Sequence, residues 1–261
     1  FFIIKRDYKK WKVKLVGETI QVKDLAQGYG KNIVISDINL SVKSGEILGL
    51  IGPSGAGKTT LINSIMGMLK PKQGSVTVLG ESMPNRKILA KIGFMAQADA
   101  LYETLTAREN LTFFGQMQGM SQKNLPAQIK YATTVVNLNE DLDKHVNDYS
   151  GGMKRRLSLA IALVADPEIL ILDEPTVGID PELRQQIWQE LHRLGKEGKT
   201  ILLTTHVMDD AEESDSLLMI RNGVAIAQGQ PDRLIKEFKV KSVEEVFLKA
   251  GRQQDAHTGN D

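Results

Sequence analysis

The segment GPSGAGKT, at residues 52–59, places three glycines, a lysine and a threonine in the spacing G-x-x-x-x-G-K-[ST]. Glycine has no Cβ, so the N–H groups of such a loop can turn inward together and, with the positive end of a following helix, bind phosphate oxygens. Lys58 would add a charge at the β- and γ-phosphates, and Thr59 a hydroxyl for Mg²⁺. The pattern therefore predicts a P-loop for a nucleoside triphosphate rather than a plain glycine-rich turn. The candidate binding residues are Gly52, Pro53, Ser54, Gly55, Ala56, Gly57, Lys58, Thr59 and Thr60.

Two carboxylates follow an apolar run further along the chain, in ILILDEP at residues 169–175. In an open parallel sheet, ligands bind beyond the carboxyl ends of the strands. Asp173 can hold Mg²⁺ there, and Glu174 can act as a general base on the attacking water. Acidic residues also begin ordinary turns, but a carboxylate pair downstream of a P-loop favours the catalytic interpretation.

A second glycine-led segment, YSGGMKRR, occupies residues 149–156. Ser150 offers a hydroxyl, Gly151 and Gly152 offer backbone N–H groups, and the dipole of a helix beginning here favours an anion. An ordinary capped helix start has the same appearance. The position of the segment shortly before Asp173 favours a second phosphate contact.

Apolar runs and periodicity predict the elements that position these loops. Residues 46–51 and 168–173 read as buried strands, and the second run is typical of a central parallel strand. The chain reads as helical from about 104 to 149, and a helix is expected at 150–165. We therefore expect an α/β fold with a parallel sheet and an inserted helical subdomain at about 98–165. The other predicted elements are strands at 18–25, 33–42, 75–80, 91–97 and 200–205, edge-type strands at 216–222 and 224–230, helices at 60–69 and 181–194, short helices to about 250, and a frayed polar tail from 251.

The composition is that of a globular protein, with 261 residues, 41% hydrophobic and 25% charged. Lys and Arg number 33 against 32 Asp and Glu, and this balance gives no support for nucleic acid as a partner. Cysteine is absent, which excludes disulfides and thiolate metal sites. No stretch approaches the roughly 18 apolar residues of a membrane-spanning helix. Residues 1–17 are basic and are interpreted as a poorly ordered leader, with contact to a membrane surface as the alternative.

With these motifs, the chain from residue 19 to about 236 resembles the nucleotide-binding domain of ABC transporters. GPSGAGKT matches the family's P-loop, YSGGM stands where its signature would be, and ILILDEP matches its Walker B strand. The remaining matches are Tyr29 in GYG, where the family stacks an aromatic ring on adenine, Gln97 in GFMAQ at the Q-loop, Asp180 in TVGID at the D-loop, and His206 in TTH at the switch position. The resemblance implies a P-loop NTPase core with a mostly parallel sheet, an antiparallel β subdomain, an ATPase domain at 18–236, and a C-terminal helix and polar tail at 237–261.

The resemblance also implies a reason for two phosphate loops. In this family two domains bind head to tail, and each ATP is held by the P-loop of one and the signature of the other. ATP and Mg²⁺ would be the cofactors, with Thr59, Gln97 and Asp173 at the metal. Glu174 and His206 would be catalytic, and Asp180 would lie near the nucleotide.

The implied function is the ATP-hydrolysing subunit of an ABC transporter at the cytoplasmic face of the membrane. The pore would be a separate transmembrane permease docked near residues 98–110, and the second nucleotide-binding domain would be another copy or a sister subunit. Tyr149 and Met153 replace Leu and Gln of the signature, and this form resembles the branch that serves drug, antibiotic, polysaccharide or lipid exporters.

Three alternatives remain beside this interpretation. A soluble ABC-type ATPase of translation or repair would usually carry two nucleotide domains or a long coiled-coil insert, and neither is visible here. A GTPase or small-molecule kinase would not explain YSGGM, and no N-K-x-D guanine motif is present. A non-catalytic binding module is disfavoured because Glu174 and His206 are both present.

Overall fold

The computed structural model describes residues 17–96 and 100–258, with the backbone alone for residues 257 and 258. Gln97 and all but the last residue of the predicted leader lie outside these ranges. The strands are β1 (Glu18–Tyr29), β2 (Asn32–Lys43), β3 (Ile47–Ile51), β4 (Gln73–Val78), β5 (Glu81–Ser82), β6 (Ile92–Met95), β7 (Ile169–Asp173), β8 (Thr200–Thr205), β9 (Ser216–Arg221) and β10 (Val224–Gly229). The α-helices are α1 (Lys58–Ile65), α2 (Arg86–Leu89), α3 (Ala107–Met117), α4 (Leu125–Val135), α5 (Gly151–Val164), α6 (Pro181–Lys196), α7 (Met208–Glu212), α8 (Pro231–Phe238) and α9 (Val243–Thr258).

The larger sheet has the strand order β10-β9-β3-β8-β7-β6, and its strands are parallel except for β10. Every residue of β3, β7 and β8 is buried, as expected for central strands covered on both faces. Ile51 lies opposite Thr205, and Asp173 lies opposite Thr204. The carboxyl ends of these three strands therefore lie side by side, roughly 5 Å apart from one strand to the next.

A smaller antiparallel sheet, in the order β2-β1-β4-β5, packs over α1 and forms the antiparallel subdomain that the resemblance implied. Strand β2 alternates buried and exposed residues along much of its length, which fits one face on the core and one in solvent. One hydrophobic cluster joins this sheet to α1 and to the adjacent face of the larger sheet, for example through Ile35, Leu61 and Leu50. The P-loop that precedes α1 is thus held between two sheets.

The inserted helices α3, α4 and α5 pack together and against the larger sheet near β6. Helix α3 begins at a capping box, in which the Thr106 hydroxyl accepts from the Glu109 N–H at 3.2 Å and the Glu109 carboxylate accepts from the Thr106 N–H at 2.8 Å. The second half of α5, from Leu157 to Val164, is buried throughout. The first turns of α5 are left partly exposed, so its N-terminus can face a ligand.

Several predicted boundaries are wrong, for local reasons. The helix predicted at 60–69 ends at Ile65, because Gly67 has a φ of +68° and stops it in the left-handed conformation. The stretch at 104–149 is helical only in part, with short 3₁₀ turns at Asn139–Asp141 and Val146–Asp148. The strand predicted at 18–25 continues to Tyr29, because β2 pairs with it along its whole length.

Two C-terminal predictions are also wrong. Strand β9, expected at an edge, lies between β3 and β10 and its Leu217 to Ile220 are fully buried. The tail expected to fray from residue 251 is helical to Thr258. This helix contacts β9 through Arg221, whose Nη2 donates to Asp255 at 3.0 Å. Gly251 also packs closely against Arg221, since a Cβ at Gly251 would lie 2.4 Å from the guanidinium. Within the described ranges, no helix combines the length and apolarity needed to cross a bilayer.

Candidate active site

The segment predicted as a P-loop joins the end of β3 to the start of α1, so its N–H groups lie at a helix N-terminus. Gly55 and Gly57 have φ angles of +80° and +108°, which other residues rarely adopt. A Cβ on Gly52 would lie 2.3 Å from the carbonyl oxygen of Ile220. Glycine is therefore needed at these positions for backbone conformation or close packing, and the loop shape suits a phosphate.

Lys58 lies across this loop. Its Nζ donates to the carbonyl oxygens of Gly52 at 2.5 Å and Pro53 at 3.0 Å. Burial lowers the pKa of the Lys58 amine below its ordinary value, and the negative charges of Glu174 and Asp173 offset only part of this effect. The two carboxylates predicted from ILILDEP are thus close enough to act electrostatically on the P-loop lysine. Thr59 is exposed at the start of α1, and Thr60 is buried behind it.

Asp173 and Glu174 end β7 beside β8, and Thr204 connects them. The Thr204 hydroxyl donates to Asp173 Oδ1, and it accepts from the Glu174 N–H at 3.0 Å. Glu174 has a φ of +53°, a left-handed conformation that is unfavourable for a residue with a Cβ. Asp173 is buried, whereas the Glu174 side chain is partly exposed. This arrangement holds one carboxylate inside the sheet edge and turns the next toward the cleft.

His206 follows β8 directly and meets Glu174 across the strand ends. Its Nδ1 lies 2.8 Å from Glu174 Oε1. When Glu174 is ionised it can only accept, so this bond requires the proton to be on Nδ1. The pair has the geometry of a base held by an orienting imidazole. The resemblance implied catalytic roles for both residues, but the direct bond between them was not predicted from the sequence.

The second glycine segment lies at the start of α5. The Ser150 hydroxyl accepts from the Met153 N–H at 3.2 Å and caps this helix. A cavity of about 250 Å³ opens beside it. The residues that line this cavity are Gly151, Gly152, Arg155, Glu174, Val177 and Gly178. The signature segment and the candidate base of the same chain therefore face one cavity.

Three further residues were predicted at the site, namely Tyr29, Asp180 and Gln97. Tyr29 is exposed at the end of β1, next to the turn into β2. The Asp180 carboxylate accepts from the Leu183 N–H at 3.0 Å and caps α6, so it has a structural role in this chain whatever else it binds. Gln97 lies outside the described residues, two positions beyond the end of β6, which is the neighbour of β7.

Asp210, which is 1% exposed, was not predicted as a functional or structural residue from the sequence. Its Oδ1 accepts from Trp188 Nε1 at 2.7 Å, Arg184 Nη2 at 2.8 Å and Arg184 Nε at 2.9 Å. Its Oδ2 accepts from the hydroxyls of Thr176 and Thr205. Asp210 thus joins α6 and α7 to the segments that follow Glu174 and precede His206. In the acidic run MDDAEESD nothing distinguishes it from its exposed neighbours.

Residues 35–177 match the protein family described as ABC transporter. Nod factor export ATP-binding protein I of Bradyrhizobium diazoefficiens is 42% identical over 231 residues, which are 87% of this chain and 76% of that protein. A solved ATP-binding subunit of an ABC transporter matches with a TM-score of 0.84 at 28% identity, over 89% of this chain and 99% of the other. A dimeric ATP-binding cassette in a post-hydrolysis state, bound to ADP and Pi, matches with a TM-score of 0.74 at 27% identity, over 81% and 98%.

Proposed function

This chain belongs to the ABC transporter family and is an ATP-binding subunit with ATPase activity, and from that premise we propose that it drives an exporter as one half of a head-to-tail ATP-bound pair. The observation that carries the catalytic part of the proposal is the shared edge of β3, β8 and β7. There the P-loop, His206 and the Asp173–Glu174 pair meet, with His206 Nδ1 at 2.8 Å from Glu174.

ATP binding begins at the P-loop. The N–H groups at the start of α1 take the phosphates, and Lys58 moves its amine from the carbonyls of Gly52 and Pro53 to the phosphate oxygens. Thr59 and Asp173 are oxygen donors of the kind that Mg²⁺ prefers, and Gln97 is the third predicted ligand. Mg²⁺ bound there would neutralise charge on the phosphates as the γ-phosphoryl group is transferred.

Glu174 is the general base of the proposed reaction. It takes a proton from the water that attacks the γ-phosphorus, and ADP and phosphate are the products. His206 holds the Glu174 carboxylate through Nδ1 and contacts the γ-phosphate, so the carboxylate and the water stay aligned. Tyr29 is exposed and available to stack on adenine.

The head-to-tail pair explains Gly151. The φ of Gly151 is not in the left-handed region. Apart from the backbone of its own helix and its chain neighbours, a Cβ at Gly151 would have no heavy atom of the described residues within 4 Å. This chain's own packing therefore gives no reason for a glycine. A phosphate held by the opposite P-loop, approaching the N–H groups at Ser150 to Gly152, supplies one.

The membrane partner is proposed to dock on the helical insert beside β6. Tyr102 and Phe113 pack edge to face with centroids 5.0 Å apart and are both partly exposed, and Met117 is exposed on the same helix as Phe113. Such an apolar surface suits a helix from a polytopic chain. This docking would place the subunit at the cytoplasmic face of the membrane. The proposed direction is export, because a relative is named for Nod factor export and because the form YSGGM-K-R-R resembles the exporter branch of the family.

Glu174→Gln tests the pair. The variant should bind ATP but turn over very slowly, because the amide cannot accept the water's proton, and it should elute as a dimer with saturating Mg-ATP. Lys58→Ala is the matched control, which should lose triphosphate binding and elute as a monomer. A Glu174→Gln variant that binds ATP yet stays monomeric would contradict the pair.

Phe113→Asp tests the docking face. A polytopic membrane protein crosslinked to the wild-type chain in native membranes should be lost with this variant. Leu248→Asp changes another exposed apolar residue, on α9, and should retain the crosslink. Recovery of soluble proteins alone with the wild-type chain would instead favour an ABC-type ATPase outside transport.

A further inference from the structure

Arg155 lies on α5, just beyond the segment that begins at Ser150. Its Nη1 donates to the carbonyl oxygen of Ala96 at 3.2 Å, at the end of β6. Its Nη2 donates to the carbonyl oxygen of Glu174 at 2.8 Å and also to that of Asp173, at the end of β7. A single guanidinium thus joins the signature helix to the ends of two neighbouring strands.

The backbone of Glu174 has an unfavourable conformation that hydrogen bonds must stabilise. Its φ of +53° is unfavourable, so the surrounding bonds must hold it. On its N-terminal side, its N–H donates to the Thr204 carbonyl at 3.1 Å and the Thr204 hydroxyl at 3.0 Å. On its C-terminal side, its carbonyl accepts from Arg155. The peptide groups on both sides of the candidate base are therefore held by charged or polar partners.

We propose that Arg155 is a positioning residue that couples the signature helix to the catalytic base of the same chain. The inference rests on the proposed role of Glu174. Ser150 caps the helix that carries Arg155, and the two residues are separated by about 7.5 Å along its axis. A displacement of the Ser150 end by a phosphate from the opposite domain therefore moves the guanidinium, and with it the backbone that aims the Glu174 carboxylate at the water. In this way ATP bound at the signature of a chain sets the activity of that chain's own P-loop site.

The neighbouring residue supplies a matched control. Arg156 also donates to two backbone carbonyls, those of Val136 at 3.4 Å and Asn137 at 2.9 Å. Both acceptors follow α4, within the helical insert and away from the ends of β6 and β7. The two arginines thus share type and helix and both bond to carbonyl oxygens, but only Arg155 contacts the backbone of Asp173 and Glu174.

The test is Mg-ATP turnover by the full chain with Arg155→Ala. We expect kcat to fall on the order of 100-fold, the loss that a small misplacement of a catalytic group causes. KM for ATP should stay within about twofold, since the P-loop contacts are unchanged. Arg155 lines the 250 Å³ cavity, so millimolar guanidinium can enter the space left by its side chain and restore part of kcat. Arg156→Ala should keep wild-type kcat and not respond to guanidinium.

Arg155→Lys covers the case in which the alanine variant does not fold. Lysine keeps the charge but lacks the planar fork, so kcat should lie between those of wild type and alanine. Wild-type kcat in Arg155→Ala or Arg155→Lys, or equal losses in the Arg155 and Arg156 variants, would overturn the positioning role. If the wild-type chain does not hydrolyse ATP, or Glu174→Gln retains full turnover, the proposed function itself fails.

Discussion

Replacing Asp210 with alanine removes one buried carboxylate that four side chains share. Trp188, Arg184, Thr176 and Thr205 all donate to it, and they come from three separate segments of the chain. Alanine cannot accept any of these bonds. The Trp188 N–H and the Arg184 guanidinium would both lose their buried acceptor.

The expected loss follows from the burial of each partner. Removing one member of a buried ion pair costs about 3–5 kcal/mol, because the other charge stays buried and unpaired. The Arg184 side chain is 25% exposed and can regain some water, so we expect about 3 kcal/mol, the lower end of this range. Asp210→Asn keeps one neutral acceptor, and a smaller loss of about 1–2 kcal/mol is expected.

Urea unfolding followed by tryptophan fluorescence measures these losses as changes in the free energy of unfolding. Asp209→Ala is the control, because Asp209 is 83% exposed and lies 3.6 Å from Arg184, so it should lose no more than about 0.5 kcal/mol. Equal losses in Asp209→Ala and Asp210→Ala would refute the reasoning. In ATP turnover, Asp210→Asn should lower kcat and leave KM for ATP nearly unchanged, since Thr176 and Thr205 flank the segments that carry Glu174 and His206.

Three further substitutions test separate parts of the structure. Gly57→Ala should lower the affinity for ATP, measured by calorimetry, about tenfold or more. The φ of Gly57 is +108° and a Cβ there would lie 2.3 Å from Ile35 Cγ2, and such strain costs about 1–3 kcal/mol. Unchanged affinity would contradict the argument that glycine is required at this position. Thr106→Ala should destabilise the chain by about 1 kcal/mol with ATP affinity unchanged, since it removes only a helix cap. Burial and the charge of Asp141 raise the pKa of Tyr149 to about 12. Because this folded pKa exceeds the unfolded value near 10, stability should be full below about pH 10 and fall toward pH 12, and Tyr149→Phe should flatten that fall in unfolding curves measured against pH.

Much of the candidate site could be predicted from the sequence because its signals are local. The P-loop is a conformation of consecutive residues, and the φ angles of Gly55 and Gly57 are what its glycines indicate. The strands β3, β7 and β8 are continuous apolar runs, and each ends where a polar motif begins. The family resemblance then assigned His206 to the same site as Glu174.

Other features depend on residues far apart in the chain, where periodicity carries no information. The apolar pattern of β9 would be the same inside a sheet or at its edge. Its pairing with β3 on one side and β10 on the other places it inside the sheet. The polar tail after residue 251 continues α9, whose Val243, Val246 and Ala250 are buried, and Arg221, about thirty residues earlier, donates to Asp255 within it. The tail's own composition contains no sign of that partner.

The sequence by itself determined the P-loop and the buried strands β3, β7 and β8 of this ATPase subunit, because their signals lie within consecutive residues. Only the tertiary structure decided the strand order β3-β8-β7, which brings His206 to within 2.8 Å of Glu174. It also decided the partners of Arg155 and Asp210. The physical reason is that a buried charge is placed by whatever polar groups the fold brings opposite it, and these groups lie many residues away along the chain.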